Sequence, residues 1–128
     1  MAKIDDKKRK VVAFDLDDTL CFRKTKEDKI KKYEECKPIP EMIKVVNDCY
    51  ERGHEIVIYT ARGMFSLGGN RDEIYHHLYD LTREQLEKWG IKYHKLILGK
   101  AYYDVLIDDK VVHTELIKSA DDVEEFLK

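Results

Sequence analysis

Four short apolar runs stand out along the chain, and each stops abruptly at polar or special residues. Val11-Val12-Ala13-Phe14 stops at Asp15, Ile56-Val57-Ile58-Tyr59 at Thr60, Leu96-Ile97-Leu98 at Gly99, and Val105-Leu106-Ile107 at Asp108. Runs this short, rich in β-branched side chains, predict buried strands. Between them the period changes. Met42, Val45, Val46 and Cys49 recur at i, i+3, i+4, i+7 after Pro38 and Pro40 and before Gly53, which predicts a helix from Glu41 to Arg52. Thr82 and Gln85 have capping-box spacing and predict a helix through Trp89 that Gly90 closes. Ser119 and Asp122 predict a last helix carrying Val123, Phe126 and Leu127 on one face. The stretch from Gly63 to Asn70 reads as a loop.

Short apolar strands separated by amphipathic helices predict a parallel sheet covered on both faces. Right-handed crossovers then give an α/β, three-layer, doubly wound (Rossmann-like) domain. Ligands in such sheets bind beyond the carboxyl ends of the strands. The length of 128 residues, with no repeat and no linker-like tract, predicts one domain over 1–128. Lysine and arginine (24) nearly balance aspartate and glutamate (26), and a net charge of −2 argues against a nucleic-acid partner held by net charge. No apolar stretch approaches the roughly 20 residues of a membrane span, and the first residues lack the form of a secretory signal. The three cysteines are odd in number and form no CxxC, which excludes a disulfide framework and agrees with a cytoplasmic location.

The chemistry sits where the apolar runs end. Asp15, Asp17 and Asp18 place three carboxylates within four residues, and residues i and i+2 of an extended chain face the same way. Thr60 and Arg62 follow the second run, Gly99-Lys100 the third, and Asp108-Asp109 the fourth. Clustered carboxylates repel one another unless a cation organises them. Mg²⁺ takes one or two protein carboxylates and keeps places for water and phosphate. A hydroxyl and an ammonium can hold the remaining phosphoryl oxygens.

In this ordered set the sequence resembles the haloacid dehalogenase-like superfamily of phosphatases. Phe14-Asp15-Leu16-Asp17-Asp18-Thr19-Leu20 is similar to its DxDx[TV] first motif, and Ile56 to Thr60 looks like its second. Lys100 fits the third motif and Val105 to Asp109 the acidic fourth. The resemblance implies that Asp15 is the nucleophile, forming an aspartyl-phosphate, and that Asp17 is the acid and base. It also implies Mg²⁺ held by Asp15, the Asp17 carbonyl and Asp108 or Asp109, with Thr60 and Lys100 on the phosphoryl group. The second acid of the motif favours phosphatase over dehalogenase chemistry. Asp18 stands where many members carry glycine, and Ala101 where related small phosphatases often have proline. With Lys95 as a weaker substitute for Lys100, the expected enzyme is a Mg²⁺-dependent phosphomonoester hydrolase.

The length leaves no room for a large cap domain. Cys21 to Lys37 predicts only a flap, and Gly63 to Asp80 a long loop or short helix. A small capless chain of this kind resembles phosphatase-like proteins of capsule and polysaccharide biosynthesis, which implies a sugar phosphate or similar small metabolite as substrate. Alternatives are a nucleotide or polynucleotide-end phosphatase, a receiver-like phosphoacceptor and a non-catalytic binding homologue. A homo-oligomer, in which a neighbouring subunit serves as cap, also fits a capless fold.

Blander readings apply elsewhere. Arg62 serves either a substrate phosphate or merely a surface carboxylate. Met64 and Phe65 read as packing beneath the loop, Cys49 as a small core residue, and Tyr102-Tyr103 as core and rim aromatics. His76-His77 lack a ligand frame for a metal. The basic-rich stretch from Arg23 to Lys32 reads as a solvated flap.

Overall fold

The computed structural model describes residues 9–24 and 31–128. In chain order the elements are β1 (Val11–Phe14), β2 (Cys21–Phe22), α1 (Lys31–Glu34), β3 (Lys37–Pro38) and α2 (Pro40–Glu51). They continue as β4 (Glu55–Thr60), α3 (Arg71–Lys88), β5 (Lys95–Leu98), a 3₁₀ turn (Thr114–Leu116) and α4 (Ala120–Phe126). Strands β1, β4 and β5 form a parallel sheet in that order, with Phe14 opposite Ile58 and Thr60 opposite Leu98. A two-residue antiparallel ladder joins β2 to β3. The chain is thus a mixed α/β fold, and no helix among the described residues is long and apolar enough to cross a membrane.

Both long connections, through α2 and through α3, step the same way across the sheet. Right-handed crossovers that step one way lay both helices on one face. The burial pattern agrees. Ile43, Val45, Val46 and Cys49 of α2, with Ile74, Leu78 and Leu86 of α3, share a core with Phe14, Ile56, Ile58, Leu96 and Leu98. On the opposite side of the strands, Val11, Tyr59 and Ile97 are exposed. Among the described residues this second face is thus covered at Val57 but open at Val11, Tyr59 and Ile97, where the all-apolar strands predicted cover throughout. Its outward residues are apolar too, and this hides the alternation expected of a half-buried strand.

Two further expectations change. Val105 to Ile107 form no strand, and every residue from 101 to 110 is exposed. The predicted helix start at Thr82 lies deep inside α3, which begins at the Asn70 cap, where the Asn70 side chain accepts from the Glu73 N–H. Thr82 and Gln85 continue the buried stripe of Ile74 and Leu78, so their polar atoms face the interior. The helices predicted at 41–52 and after Ser119 are present, the first opening on Pro40, whose fixed φ suits a first helical turn. α4 is tied down by buried His54, whose Nδ1 accepts from the Lys10 N–H (3.1 Å) and whose Nε2 meets Glu124 at 2.6 Å.

The outer side of β5 is blocked locally by α3. The Tyr75 hydroxyl accepts from the Leu98 N–H (3.0 Å) and donates to the Leu98 carbonyl (3.2 Å). β1 ends the sheet on the other side, with no strand against its outer edge among the described residues.

Candidate functional site

Parallel strands bring their carboxyl ends to one edge, so Asp15, Thr60 and Lys100 become neighbours although they are far apart in sequence. Gly99, at φ 91°, turns the chain after β5, and the Lys100 N–H donates to the Thr60 carbonyl at 3.1 Å. That bond aims the lysine back over the sheet end. Its Nζ lies 3.9 Å from Asp15 Oδ1 and within cation–π range of Tyr59 (5.7 Å) and Tyr103 (5.5 Å). A cavity of about 490 Å³ opens over these groups and reaches Asp17, Phe65 and Tyr102. Burial pushes the Asp15 carboxyl above its ordinary value; Lys100 opposes this shift, and neighbouring Asp17 and Asp18 add to it. Asp15 therefore has less positive charge around it than an ionised, half-buried carboxylate needs.

The turn after β1 separates the three acids. The Leu16 carbonyl accepts from the Leu20 N–H at 2.8 Å, and Asp18 takes the left-handed region at φ 68°. Aspartate tolerates this left-handed backbone only at some cost. Asp18 points to Arg23 (2.8 Å), while Asp17 turns to Arg62. Asp15 and Asp17 line the same cavity but meet different cations.

Arg62 is placed unlike a substrate-phosphate ligand. Its side chain is fully buried, and its N–H groups are all engaged by the protein. Nε donates to both Asp17 oxygens (3.0 and 3.2 Å), and Nη2 to Asp17 Oδ1 (3.1 Å) and Cys21 Sγ (3.7 Å). Nη1 donates to Thr82 Oγ1 (3.1 Å) and Gln85 Oε1 (2.6 Å). A guanidinium has five N–H donors, so none is left for a phosphate. Arg62 does pair with a carboxylate, but with Asp17 inside the site and not with one at the surface. The backbone N–H of Arg62 donates to Thr60 Oγ1 at 3.1 Å, which fixes the threonine side chain at the sheet end.

Two thiols complete this cage. Cys21 and Cys36 Sγ lie 3.4 and 3.5 Å from the same oxygen, Asp17 Oδ1. Their mutual hydrogen bond pushes the Cys21 thiol up and the Cys36 thiol down. Cys49 is remote from this cluster, and burial pushes its thiol up to about 11.

The fold has a counterpart among solved structures. This chain is similar to the crystal structure of an MCSG target from Vibrio cholerae, with a TM-score of 0.79 and 28% identity over 92% of this chain and 96% of that one. No family model matches the sequence, and no curated protein matches it significantly.

Other sequence-derived candidates fall outside the cavity. Asp108 and Asp109 are exposed and face Lys110, whose N–H donates to Asp108 Oδ1 (3.0 Å) and whose Nζ lies 3.3 Å from Asp109. The Lys110 N–H is the main cause that holds the Asp108 carboxyl below its usual value. Lys95 sits at the opposite end of β5 against Glu55 (3.8 Å), so it cannot replace Lys100. His77 bonds Glu73 on the surface of α3. Met64 packs under its loop as expected, but Phe65 is 75% exposed at the cavity mouth, with its ring 5.3 Å from that of Tyr102. Part of the 23–32 stretch lies outside the described residues; Arg23 and Lys32 from its ends line the cavity.

Thr82, Gln85 and Cys36 had no place in the sequence-based site. The first two carried a usable signal, since they fall on one helical stripe with Ile74 and Leu78. Cys36 carried none.

Proposed function

We propose that this protein is a Mg²⁺-dependent phosphomonoester hydrolase of the haloacid dehalogenase-like kind, acting through an aspartyl-phosphate on Asp15. One observation supports it above the others: a half-buried Asp15 with Lys100 3.9 Å away and the Thr60 hydroxyl at the same sheet end, under one cavity. Lys100 and Thr60 hold two oxygens of the phosphoryl group, and Asp15 Oδ2, the oxygen not facing Lys100, attacks phosphorus. Asp17 handles the leaving-group proton and the water through Oδ2, which meets only Arg62 Nε at 3.0 Å, whereas Oδ1 takes Arg62 and both thiols. Arg62 orients Asp17 and does not touch substrate.

The donor set fits a divalent cation in part. Asp15 is a hard oxygen ligand left short of positive charge, and Mg²⁺ needs only one or two protein carboxylates. Bound there, the ion would screen the repulsion between Asp15 and an anionic phosphoryl group. Asp17 and Asp18 are committed to arginines, which leaves Asp15 as the carboxylate that would hold the ion; Asp108 or Asp109, outside the cavity, would join it only if their segment moved to the sheet edge. The same movement would complete the finer fold. β1 has an open outer edge, and Val105 to Ile107 is an apolar run with Ile107 93% exposed. Pairing that run with β1 would reverse the winding direction, give a doubly wound sheet and bring Asp108-Asp109 toward Asp15.

The mouth aromatics Phe65 and Tyr102 offer a ring-binding surface, and Arg23 and Lys32 add positive charge. A small sugar phosphate suits this opening; a nucleotide is the rival. The test is phosphate release from sugar phosphates, nucleotides and p-nitrophenyl phosphate, with Mg²⁺ or with EDTA. Metal-dependent turnover that disappears in Asp15→Asn is the expected result. A folded protein that releases phosphate from none of them overturns the proposal. A stable phosphoryl group trapped on Asp15 without turnover would instead mark a receiver-like acceptor, the reading favoured by the tight hold of Arg62 on Asp17.

A further inference from the structure

Beneath Asp17 the chain brings together two thiols that neither the sheet nor the phosphoryl site requires. We propose that Cys21 and Cys36 form a reversible disulfide, making this cluster a site of oxidative modification. Both sulfurs address a single oxygen, Asp17 Oδ1, and the three ligand atoms lie within 4.8 Å of one another. Cys21 is paired with Pro38 across the β2–β3 ladder, and Cys36 lies two residues before Pro38. Side chains two residues apart on an extended chain share a face, so the two thiols are diagonal neighbours on one side of the ladder. To join, the sulfurs must leave the shared oxygen and close to about 2.05 Å. What holds them back is weak: each thiol has one proton, shared between Asp17 Oδ1 and a main-chain carbonyl, that of Lys32 for Cys36 (3.4 Å) and that of Leu16 for Cys21 (3.7 Å). The ladder that would have to shift is only two residue pairs long.

The same atoms fit a disulfide better than a metal ion. Both Asp17 oxygens already accept from Arg62, whose Nη2 also lies 3.7 Å from Cys21 Sγ. A dication would have to displace or face that guanidinium, whereas a disulfide is neutral and leaves the ion pair whole. The cavity comes within one side chain of the thiols, because Asp17 and Arg62 line it and Asp17 touches both sulfurs. Cys36, 6% exposed, is the more accessible of the two and reacts first. The oxidant is a hydroperoxide of about water size. The Cys36 sulfur attacks one peroxide oxygen, the O–O bond breaks, and the thiol proton leaves with the departing oxygen as water. Cys21 then attacks the sulfenic sulfur, the S–S bond forms, and the hydroxyl departs with the Cys21 proton as a second water. Two thiols are oxidised and one peroxide is reduced.

Closure removes both S–H donors from Asp17 Oδ1 and leaves Arg62 to hold it alone. Resting on the phosphatase reading, the disulfide is a brake on Asp17. The full chain is treated with hydrogen peroxide, alkylated after denaturation, and mapped by mass, with phosphate release followed in parallel. A Cys21–Cys36 cross-link reversed by dithiothreitol is expected, with Cys49 still reduced and a reversible, several-fold loss of phosphate release. The Cys36→Ser variant, which keeps a donor toward Asp17, should leave Cys21 reduced and keep its activity in peroxide. No cross-link, or Cys36 oxidised to sulfinic acid without one, overturns the site. A cross-link that leaves turnover unchanged, or a peroxide-sensitive Cys36→Ser, overturns the brake. If the reduced protein releases no phosphate at all, the phosphatase reading falls while the mass map still decides the disulfide.

Discussion

Replacing Arg62 with methionine separates a buried positioning residue from a substrate ligand. The methionine fills much of the same channel but strips Asp17, Thr82 and Gln85 of the guanidinium, leaving Asp17 only the weak thiol donors. Breaking a buried ion pair from one side costs about 3–5 kcal/mol. Each buried acceptor left unsatisfied adds about 1–3 kcal/mol before relaxation. The Asp17 side chain is 12% exposed, so water relieves part of this and the lower range applies, about 3–4 kcal/mol. Against a typical total of about 5–15 kcal/mol that is a large share. For a domain of this size about 1 kcal/mol moves Tm by some 3–5 °C, so Arg62→Met should melt about 10–20 °C lower. Thermal and urea unfolding followed by circular dichroism give the number. Asp17→Asn combined with Arg62→Met should recover part of the loss, because no carboxylate is then stranded. If Arg62→Met unfolds within about 1 kcal/mol of the parent and only raises KM, Arg62 serves substrate and the cage reasoning is wrong.

Asp15 gives a pH signature. Its carboxyl is raised above 3.8, so the folded state binds this proton more tightly than the unfolded chain does. Stability should therefore fall as pH rises from 3.8 through the raised value and then level off. Asp15→Asn escapes that fall: it should match the parent in acid and be more stable at neutral pH, and a less stable variant at neutral pH refutes the assignment. At Asp18, glycine should stay within about 1 kcal/mol of the parent, since relief at φ 68° is offset by a lost surface pair with Arg23. Valine there should cost about 1–2 kcal/mol in urea unfolding, and equal stability of the two variants would remove the strain argument. Gly63 has φ 80°, and an added Cβ would sit 2.7 Å from buried Leu78 Cδ1. Gly63→Ala should cost about 2–4 kcal/mol from strain and overpacking together, and a cost under about 1 kcal/mol would contradict it.

The parts legible in the sequence are those set by local interruption. Apolar runs that stop at Asp15, Thr60 and Gly99 marked both the strands and the edge where the polar groups meet. Sheet cover was not legible, because Val11, Tyr59 and Ile97 are apolar whether or not a helix lies over them. For the same reason Val105 to Ile107 read as a strand: composition reports willingness to pair, and the partner edge is a tertiary matter. Thr82 and Gln85 were misread because a Thr-x-x-Gln spacing serves equally as a cap and as two polar positions on a buried stripe. Their true meaning needed Arg62, some 20 residues earlier in sequence and invisible to any periodic pattern.

The Tyr75 hydroxyl on Leu98 also limits how this sheet can be extended from outside. Growth into a run-on fibre requires two open edges, so that each copy receives a strand on one side and offers one on the other. Here β5 already has its Leu98 amide and carbonyl occupied, and β1 is the remaining edge. A molecule whose second edge is blocked in part favours two-fold pairing with its copy through β1, edge to like edge, over run-on growth. A single tyrosine oxygen at Leu98 thus sets one obstacle to polymerisation along the β5 edge.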